Sequence, residues 1–546
     1  MFIGDQLLVT IFRIVDSDLR PPPSLGGFGF LAGKFCTGDE NKISDINALS
    51  IASLESVPSP KYATESELAE AIKRISVLIS SDQIRNSKVE LEGHRKNDFT
   101  PHLPLEYEIP SFIVYPHLTV QVSQILKVCH EYSVPVVPYG GGTSLEGHFF
   151  STRQPCIVMD VSHMKRILRV NRDDMDATVE AGVNWMDLNS QLDATASDGT
   201  RLMFGPDCGP NGLILGMVST NASGINAYKY GAMISNVVNI TVVLADGTII
   251  KTRQRPRKTS AGYNLTGLFI GSEGTLGVVT EVTVKLHVRP KYELVVVGQF
   301  PSLRDCTDTV QQVFASGIQP NAIELMDKDM MYVTNYSGYL TREWLEIPTL
   351  FFKVGGINPS VVEEQRKMIE EISMQHNVNR FVIAHSKEEE EELFSARKNA
   401  FYAMVNYGLN EIGEDVRIWV TDIAVPITKL SLVLTEINTM IKESGLFSVV
   451  LGHVGDGNFH ADVYYRPEQK EQCEKIIKKM VALGLANEGT CTGEHGIGNA
   501  KRNYLVDELG EDAISLMRKI KLALDPKRIL NPDKVFKIDP SDSGRY

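Results

Sequence analysis

Pro135-Val136-Val137-Pro138-Tyr139-Gly140-Gly141-Gly142-Thr143-Ser144-Leu145-Glu146-Gly147-His148 is a short β run that empties into three glycines and two hydroxyl side chains. A strand ending this way offers consecutive backbone N–H groups, the arrangement that cradles a phosphate. No Lys follows as in a P-loop, and no Gly-x-Gly-x-x-Gly opens a helix here. Three more small-residue loops follow: Gly205-Pro206-Asp207-Cys208-Gly209-Pro210, Gly216-Met217-Val218-Ser219-Thr220-Asn221-Ala222-Ser223-Gly224 and Gly271-Ser272-Glu273-Gly274-Thr275-Leu276-Gly277. Together they suggest a long, extended, phosphate-bearing cofactor threaded along backbone.

Around these loops the pattern is α+β with many short strands. β runs are expected at 112–115, 134–138, 157–160, 177–182, 240–244 and 278–287. Val122, Ile125, Leu126 and Cys129 predict a helix over 119–132. Residues 1–105 read as an N-terminal extension, helical in part over 65–81, and 106–290 as the cofactor domain. Beyond Pro290 strands alternate with long charged helices, expected at 360–376 and 387–407. Residues 291–525 therefore read as a second domain, with 526–546 a tail able to lie back on the first. The acidic run Glu388–Glu392 reads as a solvated helix start.

The second chemistry-bearing stretch is Gly452-His453-Val454-Gly455-Asp456-Gly457-Asn458-Phe459-His460. Strand-like runs at 447–451 and 459–465 flank it. Asp456-Gly457 predicts a two-residue hairpin turn with Gly455 opposite Asn458, Val454 opposite Phe459 and His453 opposite His460. Opposed residues share a face with Cβ atoms about 5 Å apart. Two imidazoles so placed pinch one metal ion; solvated hairpin histidines are the alternative. Cys491-Thr492-Gly493-Glu494-His495-Gly496-Ile497-Gly498 then sets an acid and a histidine side by side between glycines. Two His and one carboxylate with open positions suit a catalytic divalent metal. The expected ligands are His453, His460 and Glu494, which leaves His495 as proton acceptor. A loop without chemistry is the alternative for this segment, and no His-Glu-x-x-His helix occurs.

The 546 residues suffice for two or more domains. Lys+Arg 55 against Asp+Glu 68 leaves a net charge of −13. That argues against a nucleic-acid backbone partner and suits a basic protein partner. Seven cysteines without Cys-x-x-Cys spacing read as reduced packing residues. No apolar run is long enough to indicate a spanning helix. Residues 1–35 mix Arg13 and Arg20 with Asp5, Asp16 and Asp18, so no clean transit peptide is evident.

On the loop Pro135–His148 and its three companions, residues 107–290 resemble the FAD-binding domain of the vanillyl-alcohol oxidase / p-cresol methylhydroxylase type. With the two histidine segments, residues 291–537 resemble the cap of its D-2-hydroxy-acid dehydrogenase branch, which includes D-lactate, D-2-hydroxyglutarate and glycolate enzymes. Ser144-Leu145-Glu146-Gly147-His148-Phe149 and Thr490-Cys491-Thr492-Gly493-Glu494-His495-Gly496 look closest to the fungal D-lactate members. The resemblance implies an α+β fold, a two-part FAD domain and a cap with a central antiparallel sheet. It implies FAD held by Pro138, Gly140, Gly141, Gly142, Thr143, Ser144, Pro206, Asp207, Gly216, Ser219, Ser223, Glu273, Gly274, Leu276 and, from the tail, Asn531. It implies zinc or manganese on His453, His460 and Glu494, with His495 at the reacting carbon and Arg397 on the substrate carboxylate.

The implied activity is oxidation of D-lactate or a similar small D-2-hydroxy acid to the 2-oxo acid, with hydride passing to flavin N5. Electrons would leave to cytochrome c in mitochondria, since no haem-attachment Cys-x-x-Cys-His is present. The flavin is expected to be non-covalent, although His148 offers a possible attachment. Three readings compete. A D-2-hydroxyglutarate enzyme needs a second cation in the pocket, for which Lys353 and Lys398 are the candidates. A non-redox FAD-dependent ether-lipid synthase needs no such metal triad, and a metal hydrolase needs no flavin.

Overall fold

The computed structural model describes residues 49–97, 100–196, 199–338, 340 and 342–542; the reading of residues 1–35 lies outside them. The opening stretch lies in the first of three main sheets. Here β1 (Ile84–Arg85), β2 (Phe112–Val114), β3 (Val136–Tyr139) and β4 (Ile157–Asp160) lie in the order β1-β2-β4-β3. β2 and β3 both run parallel to β4. Parallel strands need a crossover, and the helix Thr119–Tyr132 provides one between β2 and β3, with Val122, Ile125, Leu126 and Cys129 buried as its spacing predicts. The polar segment expected as an extension adds to this core. Its helix Glu65–Ile75 starts at a reciprocal Thr64–Glu67 capping box and buries Leu68, Ala71 and Ile75 in the same cluster.

The second sheet is antiparallel. It comprises β5 (Ile167–Asn171), β6 (Asp176–Glu180), β7 (Val237–Val243), β8 (Ile249–Lys251) and β9 (Val278–Lys285), in the order β5-β6-β9-β7-β8. The third is the expected central antiparallel sheet of the cap. Its strands are β10 (Tyr292–Gln299), β11 (Ala322–Met326), β12 (Thr349–Gly356), β13 (Arg380–Ile383), β14 (Arg417–Trp419), β15 (Ile423–Ala424), β16 (Ser448–Gly452) and β17 (Asn458–Tyr465). They run β13-β10-β12-β11-β16-β17-β14, with β15 beside β17. Glu388, Glu389 and Glu390 occupy a first helical turn behind the N-cap Ser386, where the helix dipole favours acids. The single helix expected over 387–407 breaks at Asn399 into Lys387–Lys398 and Ala400–Tyr407, then passes into a π turn, Gly408–Ile412.

The β16–β17 hairpin departs from the two-residue turn. Leu451, not His453, faces His460. Val454–Asp456 forms a 3₁₀ turn, and Gly457 closes it at φ +76°. A side chain at Gly457 would also run into the Val425 carbonyl, which restricts that position to glycine. The register slips by two residues, an even number, so the face of the sheet is preserved. Near the C-terminus, Leu530 bridges Val136 on β3, and the Asn531 N–H donates to the Val136 carbonyl.

Candidate active site

The hairpin delivers two histidines and residues 491–498 deliver the acid. His453 Nε2 is 3.2 Å and His460 Nε2 3.4 Å from Glu494 Oε1, and the three ligand atoms lie within 4.8 Å of one another. Each ring is fixed through its other nitrogen. His453 Nδ1 lies 2.8 Å from Glu324 Oε1, and His460 Nδ1 lies 2.8 Å from the Thr421 carbonyl. An imidazole so engaged turns its Nε2 lone pair to a cation. Ser223 Oγ donates to Glu494 Oε2 at 2.6 Å, and the Gly224 N–H donates to it at 3.1 Å. Ser223, expected on the flavin, therefore steadies the acid. Burial by itself lowers the His453 pKa, but Glu324 and Glu494 on either side raise it well above its ordinary value. Two basic rings and one acid with fixed outer partners fit zinc or manganese.

Asp422, His460 and His495 also bring ligand atoms together, but the Asp422 oxygens are occupied. Oδ2 accepts Thr492 Oγ–H at 2.6 Å and the N–H groups of Glu494 and His495 at 3.0 and 2.8 Å. Oδ1 accepts from Asn458 Nδ2 at 2.8 Å. Oδ2 thus takes three donors and Oδ1 one, out of about four lone-pair sites on a carboxylate. Asp422 is thus the scaffold that aims Glu494 and His495.

His495 stacks on His460, with ring centroids 5.0 Å apart and planes 10° from parallel. Its Nδ1 has no hydrogen-bond partner and lies 3.9 Å from Glu146 Oε1 and 4.0 Å from Asp422 Oδ2. Burial holds its pKa below the ordinary 6.5; Asp422 opposes this, while His460 and Lys501 reinforce it. A neutral ring at neutral pH is ready to accept a proton.

Arg397 comes from the helix Lys387–Lys398. Its Nε donates to Glu324 Oε2 at 2.8 Å, so the same buried carboxylate holds Arg397 and His453. Lys353 Nζ lies 4.6 Å from the Phe394 ring centroid on that helix, whereas Lys398 is exposed.

The four glycine loops meet one another. The Glu273 N–H donates to Ser219 O at 2.9 Å and the Gly271 N–H to Val218 O at 3.0 Å, while Asp207 bridges Gly224. Gly141 abuts the Asn211 carbonyl so closely that a Cβ would collide with it. Asn531 Nδ2 donates to Glu273 O at 2.7 Å and His148 O at 3.0 Å. Among the described residues, Ser144 Oγ, His148 Nδ1 and Asn531 Oδ1 are buried without a hydrogen-bond partner, and His148 Nε2 lies 3.2 Å from Glu273 Oε2. Buried polar atoms ordinarily find partners, so this concentration around the loops fits a polar cofactor.

The side chains of Glu273 and Asp207 also bond within the protein. The Glu273 carboxylate accepts the Ile497 and Gly498 N–H groups, both at 2.7 Å, and Asp207 accepts the Asn226 N–H at 2.7 Å. Gly496, at φ +80°, permits the first contact, because a Cβ there would sit 2.7 Å from His148 Nε2 and 2.8 Å from Glu273 Oε1.

Sequence reasoning missed Glu324 and Asp422. Each left a signal, a lone acid in an apolar run: Ala322-Ile323-Glu324-Leu325-Met326 and Val420-Thr421-Asp422-Ile423-Ala424.

The cofactor loops and the capped histidine site together define a FAD-linked oxidoreductase. Residues 110–253 match the FAD binding domain, and residues 289–535 match the C-terminal domain of FAD linked oxidases. The chain belongs to the FAD-linked oxidase family. It is 46% identical to "D-lactate dehydrogenase [cytochrome], mitochondrial" of Kluyveromyces lactis, over 95% of this chain and 90% of that protein. It is 44% identical to "D-lactate dehydrogenase [cytochrome] 1, mitochondrial" of Saccharomyces cerevisiae, over 92% and 85%. The fold is also that of p-cresol methylhydroxylase with substrate bound: TM-score 0.71 at 16% identity, covering 87% of this chain and 98% of that one. The α+β expectation and the vanillyl-alcohol-oxidase type both hold.

Proposed function

We propose that this protein oxidises D-lactate, or a D-2-hydroxy acid of similar size, to the 2-oxo acid in mitochondria and passes the electrons to cytochrome c. The reading rests chiefly on the convergence of His453, His460 and Glu494 beside His495 and Arg397 in a FAD-linked oxidase. The printed names of the K. lactis and S. cerevisiae relatives support the substrate, acceptor and compartment.

FAD, when bound, supplies the hydride acceptor, and its expected holders are the loops from Pro138 to Ser144, 205–224 and 271–277 together with Asn531. His453, His460 and Glu494 would hold the divalent ion, which would supply Lewis-acid polarisation of the hydroxyl when bound. Arg397, steadied through Nε, turns its remaining N–H groups to the substrate carboxylate as a bidentate clamp. His495 accepts the hydroxyl proton at Nε2, since Nδ1 faces Glu146 and Asp422. The acidic chain suits a basic electron acceptor.

Arg397→Ala should raise KM for D-lactate at least tenfold with a smaller change in kcat, read by steady-state kinetics; an unchanged KM would remove Arg397 from the clamp. Because His495 must be neutral to accept a proton and its pKa is depressed, activity should hold as pH falls towards 6.5 and be lost only below it. A pH–kcat profile with its acid limb above that value would contradict this role for His495.

Lys353 Nζ, 4.6 Å from the Phe394 ring centroid, supports a second reading in which the substrate carries a second carboxylate. A dye-linked assay over D- and L-2-hydroxy acids decides between them. Preference for D-lactate supports the proposal, and preference for D-2-hydroxyglutarate supports the sibling reading. No oxidation of any 2-hydroxy acid, together with no bound metal, would point towards the non-redox ether-lipid-synthase type of site.

A further inference from the structure

Glu324 is wholly buried in the middle of β11 and carries one partner on each oxygen. Oε1 lies 2.8 Å from His453 Nδ1, and Oε2 accepts from Arg397 Nε at 2.8 Å. The strand fixes the backbone of Glu324 between two partner strands, with Glu324 opposite Phe351 on one of them. We infer that Glu324 is a positioning residue that couples the substrate-carboxylate arginine to the cation site, an inference resting on the metal-assisted reading above.

The chemistry follows from the two contacts. Glu324 accepts from the His453 Nδ1–H, which would leave Nε2 to ligate a cation shared with Glu494. Through its other oxygen it sets the direction of the Arg397 fork. A 2-hydroxy acid presents its carboxylate and hydroxyl on adjacent carbons, so their separation is fixed by covalent geometry. One rigid carboxylate spanning both receiving groups matches that constraint. A glutamine of the same shape cannot do so, because its carbonyl accepts from one partner while its NH₂ faces the donor of the other.

The test uses the FAD-loaded full chain and compares wild type with Glu324→Gln and Glu324→Asp. Chelator-competition titration with Zn²⁺ and with Mn²⁺ should show roughly 10–100-fold weaker binding in Glu324→Gln, the usual loss on removing a metal ligand's outer partner. KM for D-lactate at saturating metal should rise in the same variant. Glu324→Asp should recover one of the two parameters and not both, since a side chain one methylene shorter reaches a single partner. A purely structural role would lower the melting temperature while leaving metal affinity and KM of the folded fraction unchanged, which overturns the inference.

Should the variants fail to fold, wild type with ¹⁵N-labelled histidine still decides. With Zn²⁺ added, His453 must show a protonated Nδ1, and a His453 whose Nδ1 carries no proton sinks the inference. Wild type that binds neither metal defeats the metal reading itself. Wild type that binds metal, with Glu324→Gln equally tight, defeats the coupling alone.

Discussion

His460→Ala should abolish metal binding and lower kcat about 10³-fold while the protein stays yellow. His460 supplies one of three ligand atoms within 4.8 Å, and its Nδ1, tied to the Thr421 carbonyl, holds Nε2 towards Glu494. A cation held there would supply several kcal/mol of Lewis-acid stabilisation, and about 4 kcal/mol corresponds to three decades of rate. The flavin should remain because its expected loops contain no atom of His460. Metal analysis, the visible spectrum and kcat on one preparation check all three. A variant that keeps metal and turnover would falsify the ligand assignment.

Asp422→Asn should be nearly as severe, through a different route. The carboxylate receives four donors, two of them the backbone N–H groups of Glu494 and His495. A carboxamide has the same shape but turns an NH₂ towards some of those donors. Each buried donor left unpaired costs about 1–3 kcal/mol, and the turn can escape that cost only by moving Glu494 and His495. The expected result is at least a 10²-fold fall in kcat together with weaker metal binding and a lower melting temperature. Retention of both metal affinity and kcat would show that the turn is held by something other than Asp422.

The sequence made the site's members more legible than their supports. His453, His460 and Glu494 announced themselves because histidine and acid between glycines is a costly pattern to keep without use. The even two-residue slip in the hairpin did no harm, since residues 451 and 453 share a face. The slip itself was not readable: Gly457 closes a 3₁₀ turn against Val425, a neighbour brought close by the fold. Ser223 and Glu273 were expected to hold FAD because they stand in glycine loops. Their partners, Glu494 and the N–H groups of Ile497 and Gly498, lie more than two hundred residues away in sequence. Glu324 and Asp422 belong to the same class, since a lone acid in a strand shows that it has a partner without showing which one. The helix Thr119–Tyr132 was legible to the residue because its apolar period is local.

The most direct test of the account mixes the FAD-loaded protein anaerobically with D-lactate or L-lactate, with and without chelator, and follows the flavin's visible absorbance through a single turnover. The site predicts rapid bleaching by D-lactate, little by L-lactate, and loss of the fast phase on chelation with recovery on adding Zn²⁺ or Mn²⁺. Equal bleaching by both enantiomers, or a fast phase indifferent to chelator, would contradict a cation on His453, His460 and Glu494 as the centre of the reaction.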